Sequence, residues 1–502
     1  MRAINWMQRH AAICCVVSIG CSSATVIREV PPDLTPGQIV LKQTTTKVAS
    51  REFNADEGFI IVTENPSDSL SRKISLPVFR IRSANPRPRE PVFWLNGGPG
   101  ISNMRYFSVV QLLENHDLVF VGYRGVDGSV ALGSDEVEEA LEGTDNDLLG
   151  GESLKQLGEA IERFSADLKK RGVDPSHFTM VDVIADMERV RRALGFERLN
   201  LLSVSYGTRV ALLYGYLHPD AVFRSAMIGV NPPGRFMWMP QKIDEQLRYY
   251  DSLFVRDSIR AGDRTLSQAI KNALARLPNR WMLHKLDPGK IRAVTFALLY
   301  HKRTAAMVFH SYLAAEEGDY SGLYLMQLAY DYTFPSMMVW GDLFAKGASA
   351  DFDSSFNYAE AFSDSNTILG SPLSKLIWGG AAGRWPVSLI PSDLRHVQRS
   401  EVQTLLISGS IDFSTPAEYA TELLPSLPNG RQVILREMGH VDDVFTLQRE
   451  ALSHLLTRFY DEGVADDSRF KYTRMDFEPP VRLTTWAKVL YPFIFLLNLF
   501  RW

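Results

Sequence analysis

The sequence predicts an α/β architecture, a mostly parallel central sheet interrupted by one large, mainly helical insertion. Three observations carry this prediction. Short apolar runs of strand length alternate with amphipathic helical patterns, the signature of βαβ units. Two of those runs end in sharp small-residue turns, "LNGGPG" (Leu95–Gly100) and "SVSYG" (Ser203–Gly207). Between Val230 and about Ser400, long amphipathic segments such as "LSQAIKNALARL" replace the strand pattern.

Strands are expected at Gly58–Glu64, Ile74–Ser83, the run before Asn96, Asp117 onward, Leu199–Val204, Arg224–Val230, Val402–Ser410 and Arg431–Met438. A helix is expected over Asp182–Gly195. The chain then divides into a signal segment (1–20), a spacer (21–50), the first part of the core (51–230), a helical lid (231–400), the second part of the core (401–465), and a C-terminal extension with a hydrophobic tail (466–502).

Composition suits a folded chain with a sizeable core: 502 residues, 45% hydrophobic and 22% charged. A net charge of −4 and no basic run argue against nucleic acid as a partner. All three cysteines, Cys14, Cys15 and Cys21, lie near the N-terminus, so neither a disulfide nor a cysteine metal site is expected in the body. No H-E-x-x-H, C-x-x-C or dinucleotide fingerprint occurs, and no metal or organic cofactor is implied.

Arg2 and Arg9 followed by the uncharged run Ala11–Gly20 read as an export signal. Gly20-Cys21 resembles a bacterial lipobox, with Cys21 as the lipidated residue; cleavage after Ala24 is the alternative. The expected location is therefore the periplasm, or the membrane through a lipid anchor. The tail from Val489 to Phe500 is flanked by Trp486, Lys488, Arg501 and Trp502. As a helix it would reach about 18 Å, too short to span. It could lie in the membrane interface or pack on the protein's own surface.

The stretch "LNLLSVSYGTRVALLYG" reads as a strand–nucleophile–helix elbow, which holds a serine in a strained turn above the sheet. The residues two positions either side of that serine must be small. Ser205 has Ser203 and Gly207 as flanks, whereas Ser203 would have Leu201, so Ser205 is the expected nucleophile. A serine hydroxyl needs a base. His440, in "REMGHVDDVF", follows one late strand, and Asp412, in "SGSIDFSTP", follows the strand before it. Ser205, Asp412, His440 is the chain order of an α/β-hydrolase triad. His454 and His218 sit in or at the end of helical patterns and read as structural. Asp442 and Asp443 read as the start of the last core helix.

Taken together, "LNGGPG", "YRGVDGS", "SVSYGTRVALLYGYLHPDAV", "GSIDFSTP" and "GH" resemble the proline iminopeptidase and tripeptidyl aminopeptidase group of α/β-hydrolases. The resemblance covers about Phe53–Val230 and Val402–Tyr460. It implies an α/β-hydrolase fold whose lid lies between the nucleophile strand–helix region and the acid strand. It also implies Ser205, Asp412 and His440 as triad, the backbone N–H groups of Gly98 and Tyr206 as oxyanion hole, and Arg124 as a buried structural charge. Ser203 replaces the group's first elbow glycine, Gly122 an acid, and Asp127 a glycine.

Aminopeptidase action requires an anion for the substrate's free ammonium. Glu316 and Glu317 are the nominees, with Asp319 and Asp342 also in the lid. The leading expectation is an exported serine aminopeptidase acting on free peptide N-termini. A carboxylic ester hydrolase with the same triad is the alternative, for which lid aromatics such as Phe236, Trp238, Trp340 and Trp378 would suit an acyl or aryl group. A non-catalytic, membrane-tethered binding protein is a third reading.

Overall fold

The computed structural model describes residues 20–21, 30–31, 33–107, 109–143, 147–257, 264–363, 366–381 and 383–499. The expected signal segment, except Gly20, and the last three residues of the tail lie outside them.

The centre is a nine-stranded sheet. Its strands are β1 (Ile39–Val48), β2 (Arg51–Thr63), β3 (Lys73–Ile81), β4 (Arg89–Leu95), β5 (His116–Val121), β6 (Leu199–Val204), β7 (Val222–Ile228), β8 (Gln403–Gly409) and β9 (Gly430–Leu435). Across the sheet they run β9-β8-β7-β6-β4-β5-β3-β2-β1. Strands β4 to β9 pair in parallel, and β1, β2 and β3 are antiparallel. Phe93 faces Leu201 and Ser203 faces Met227 in the register, so β4, β6 and β7 end together on one edge.

The parallel strands are apolar on both sides because helices cover both faces. Period-two alternation splits β4 between two cores. Phe93 and Leu95 join the helices α1 (Gly151–Lys170), α2 (Met180–Ala193) and α3 (Tyr206–Leu217). Val92 and Trp94 join the opposite core, which contains Leu455 and Phe459 near the chain's end. Helix α2 starts on a reciprocal cap: Thr179 accepts from the Asp182 N–H and Asp182 from the Thr179 N–H.

The insertion after β7 contributes α4 (Pro240–Asp257), α5 (Leu266–Ala275), α6 (Pro288–Leu298), α7 (Lys302–Glu316), α8 (Ser321–Thr333), α9 (Trp340–Asp351) and α10 (Pro372–Ala381). The core is completed by α11 (Arg449–Glu462), and the chain ends in α12 (Leu483–Leu499).

One expectation changes, and of the two readings of the tail the structure shows packing on the protein's own surface. The stretch expected as spacer contains β1, an edge strand that exposes Lys42, Gln43, Thr45 and Lys47 and whose pattern is therefore mostly polar. The tail's helix packs on the lid: Lys488 pairs with Asp319 at 2.7 Å, Ser321 Oγ donates to the Thr484 carbonyl at 3.3 Å, and the Tyr491 ring meets Trp281 at 5.4 Å. Among the described residues, no helix is long and apolar enough to cross a membrane.

Candidate active site

Ser205 sits between β6 and α3 with φ 50° and ψ −123°. A non-glycine residue adopts such a backbone only when its surroundings force it. Three of them do. The Ser205 N–H donates to the Ile228 carbonyl of β7 at 2.9 Å. Its own carbonyl accepts from the Thr208 N–H and hydroxyl. Gly207 lets α3 cross the end of β4, since a Cβ there would stand 2.3 Å from the Leu95 carbonyl oxygen. Ser203, the unusual elbow residue, is fully buried and donates its hydroxyl to the Ala226 carbonyl at 3.2 Å.

The loop after β4 lies directly over this serine. A Cβ on Gly97 would be 3.1 Å from Ser205 Cβ and 3.6 Å from its Oγ. Gly98 has φ 122°, a conformation open only to glycine. As the first residue of α3, Tyr206 has an N–H with no acceptor inside the helix. Among the described residues, neither the Gly98 nor the Tyr206 N–H meets an acceptor.

Asp412 and His440 meet at the ends of β8 and β9. Asp412 Oδ1 accepts from the Ser414 and Thr415 N–H groups at 2.9 and 2.8 Å, and Oδ2 accepts from the Thr415 hydroxyl at 2.8 Å. Oδ2 also lies 2.8 Å from His440 Nδ1. A carboxylate only accepts, so Nδ1 carries the proton and Nε2 keeps its lone pair. Burial alone would lower the His440 pKa, but the charge and hydrogen bond of Asp412 outweigh it and raise it.

Serine and imidazole flank successive residues of one strand end. Ile228 holds the Ser205 N–H, and Gly229 faces His440, whose Cε1 a Cβ at that position would approach to 2.8 Å. The lid closes over the imidazole from the other side. The His440 N–H donates to the Tyr300 carbonyl at 2.6 Å, and the two rings lie 5.3 Å apart. Asp443 accepts from the Gly439 and Lys302 N–H groups, while Asp442 pairs with His301 at 3.2 Å. Trp238 Nε1 donates to the Ser414 carbonyl beside Asp412.

Helix α9 bolts the lid to the glycine loop. Asp342 Oδ2 accepts the Gly100 N–H at 2.9 Å, and the same carboxylate pairs with Lys346, whose Nζ donates to the Arg124 carbonyl. Asp351 pairs with Arg209 of α3 at 3.1 Å. All four side chains are buried. Arg124 is enclosed too, with both Asp186 carboxylate oxygens and three backbone carbonyls as acceptors.

The structure therefore brings Asp412, His440, Gly98 and the Ser205–Tyr206 elbow to one sheet edge. Glu316 and Glu317 stand elsewhere. Lys302 begins α7 beside the His440 loop, and fourteen further residues carry the chain about 21 Å away. There Arg264 pairs with Glu316 at 2.9 Å and with Glu317 at 3.1 Å. Asp319 is taken by Lys488. His454 pairs with Asp466, away from the triad. Sequence reasoning passed over Thr415, Tyr300 and Gly229; the only local signal was Thr415, placed three residues after Asp412 where a carboxylate turn recruits N–H donors.

Residues 90–442 match the model of the alpha/beta hydrolase fold family. The chain is 27% identical over 206 residues to tripeptidyl aminopeptidases of Streptomyces lividans and Streptomyces coelicolor, and each match covers 38% of this chain and 38% of the relative. Among solved structures, a serine hydrolase, CCSP0084, from the polyaromatic-hydrocarbon-degrading bacterium Cycloclasticus zankles aligns with TM-score 0.36 and 13% identity, covering 85% of this chain and 100% of that one. With the family model matching well over half of its residues, this chain belongs to the alpha/beta hydrolase fold family.

Proposed function

We propose that the protein is a serine hydrolase that works through an acyl-enzyme. Ser205 Oγ bonds to the substrate's carbonyl carbon while its proton passes to His440 Nε2. The Gly98 and Tyr206 N–H groups take the developing oxyanion, an interaction whose loss typically costs about 3–4 kcal/mol per donor. His440 then protonates the leaving group as its bond to carbon breaks. Water repeats the sequence with His440 as base, releasing the acid and restoring Ser205. Asp412 holds the ring and stabilises its charged form. The observation that carries this reading is Ser205 at φ 50° and the Asp412-paired His440 set against successive residues, Ile228 and Gly229, at the end of β7.

The peptidase form of the reading, release of residues or short peptides from free N-termini, is supported by the likeness to the tripeptidyl aminopeptidases. Glu316 and Glu317, paired with Arg264 at the end of α7 remote from His440, do not serve as its ammonium anchor in this arrangement. An ester hydrolase is supported by the uncharged pocket beside Gly98 and Pro99. A peptide offered with a free and with an acetylated N-terminus, beside p-nitrophenyl acyl esters, separates the two: an aminopeptidase cleaves only the free form, whereas an esterase hydrolyses the esters and cleaves neither peptide.

We also propose export, with membrane attachment through a lipid on Cys21, through α12 or through both. The basic, apolar N-terminus supports this. Radiolabelled palmitate should enter the full chain expressed in a bacterium and be lost in Cys21→Ala; equal labelling of both would remove the lipid anchor.

A further inference from the structure

Beside the glycine loop lies an apolar pocket of about 40 Å³. Gly98 and Pro99 line it, and they follow directly on Gly97, the residue packed on Ser205. Its other wall includes Phe236, whose ring lies 6.0 Å from that of Tyr206, the residue after the serine. Trp378 and Trp385 line it as well.

Helix α9 is two-faced at this point. Leu343, Phe344, Gly347 and Ala348 repeat at helical spacing and line the pocket. Asp342 and Lys346 occupy the adjoining face, satisfied by each other, by Gly100 and by Arg124. The helix thus brings two charges close to the site and turns both away from the cavity. No aspartate, glutamate, lysine or arginine is among its described lining residues. An unpaired charge placed there would lose its hydration without compensation.

We propose that this pocket is the subsite for the group on the acyl side of the scissile bond, that it selects a bulky, uncharged apolar group, and that Gly347 keeps it open. The proposal rests on the serine-hydrolase reading. Gly347 is buried, and a Cβ there would touch only the Phe236 ring, at 3.8 Å. Alanine therefore fits without strain and gains helix propensity. Leucine carries three further carbons past that contact into the cavity.

The test compares p-nitrophenyl acetate, hexanoate and 3-phenylpropanoate on the full chain, with Ser205→Ala as background and a small fluorophosphonate to count reactive Ser205. In the wild type, kcat/KM should rise about fourfold for each methylene that enters the pocket. Gly347→Leu should cut the hexanoate-to-acetate and phenylpropanoate-to-acetate ratios at least tenfold, and Gly347→Ala by a smaller factor. Circular dichroism and the fluorophosphonate count establish that each variant is folded. An unchanged ratio in a folded, titratable Gly347→Leu overturns the subsite, as does a wild type that prefers acetate. Absence of any Ser205 titration in the wild type is instead the failure of the serine-hydrolase reading.

Discussion

The side chain of Asp127 occupies the space left by Gly122. A Cβ on Gly122 would stand 2.7 Å from Asp127 Cβ and 2.6 Å from the Pro77 ring. Asp127 Oδ2 in turn accepts the N–H groups of Tyr123 and Asn103 at 2.8 and 2.9 Å. Gly122 and Asp127, five positions apart in sequence, are thus neighbours in space. Asn103 passes the constraint on: its Oδ1 accepts the Asn96 N–H at 2.7 Å, at the head of the glycine loop.

Asp127→Ala should therefore leave two buried N–H groups without acceptors. At about 1–3 kcal/mol for each buried group left unsatisfied, the unfolding midpoint in urea should fall clearly, and kcat should fall with it because the glycine loop loses its support. A variant with unchanged stability would show that the carboxylate is dispensable.

Gly207→Ala places a methyl group 2.3 Å from the Leu95 carbonyl oxygen. Overpacking at such a junction costs about 1–3 kcal/mol, and even a small shift of the elbow should lower kcat on the order of 10²-fold. Steady-state kinetics on an activated ester, beside a thermal melt, checks both effects.

The buried Asp342–Lys346 pair gives a third prediction. Asp342→Leu strands a cation in the interior and should cost about 3–5 kcal/mol. Asp342→Leu combined with Lys346→Met removes both charges and should recover most of that stability. It should not recover kcat, because the Gly100 N–H still lacks its acceptor. Recovery of both together would make the pair purely structural.

The pH profile follows from His440. Its pKa is raised above the ordinary 6.5, burial being overcome by Asp412 and by the nearby Asp442 and Asp443. A general base must be neutral, so kcat/KM should rise with pH through an inflection above 6.5. Asp412→Asn removes the main raising influence and leaves the burial. Its inflection should move to lower pH while kcat falls about 10⁴-fold. An inflection that stays in place would separate Asp412 from His440.

The strand–turn–helix elbow and the two late loops were legible because their signals are local: small residues at fixed offsets, and an acid and a histidine closing adjacent apolar runs. What escaped was non-local. Strand β1 read as spacer because an edge strand with Lys42, Gln43, Thr45 and Lys47 exposed lacks an apolar pattern. Asp342 and Lys346 look like an ordinary exposed i, i+4 pair, and only the packing of α9 against Gly100 and Arg124 buries them. The packing of Asp127 on Gly122 is shared with Pro77, which comes from another strand. The separation of Glu316 from the triad depends on which end of α7 faces His440.

The most direct measurement is the site of covalent labelling by a fluorophosphonate, read by mass spectrometry of the digested full chain. The account predicts one adduct, on the peptide containing Tyr206 and at Ser205, abolished together with hydrolysis in Ser205→Ala and retained in Ser203→Ala. An adduct at Ser203, or hydrolysis that survives Ser205→Ala, would contradict it.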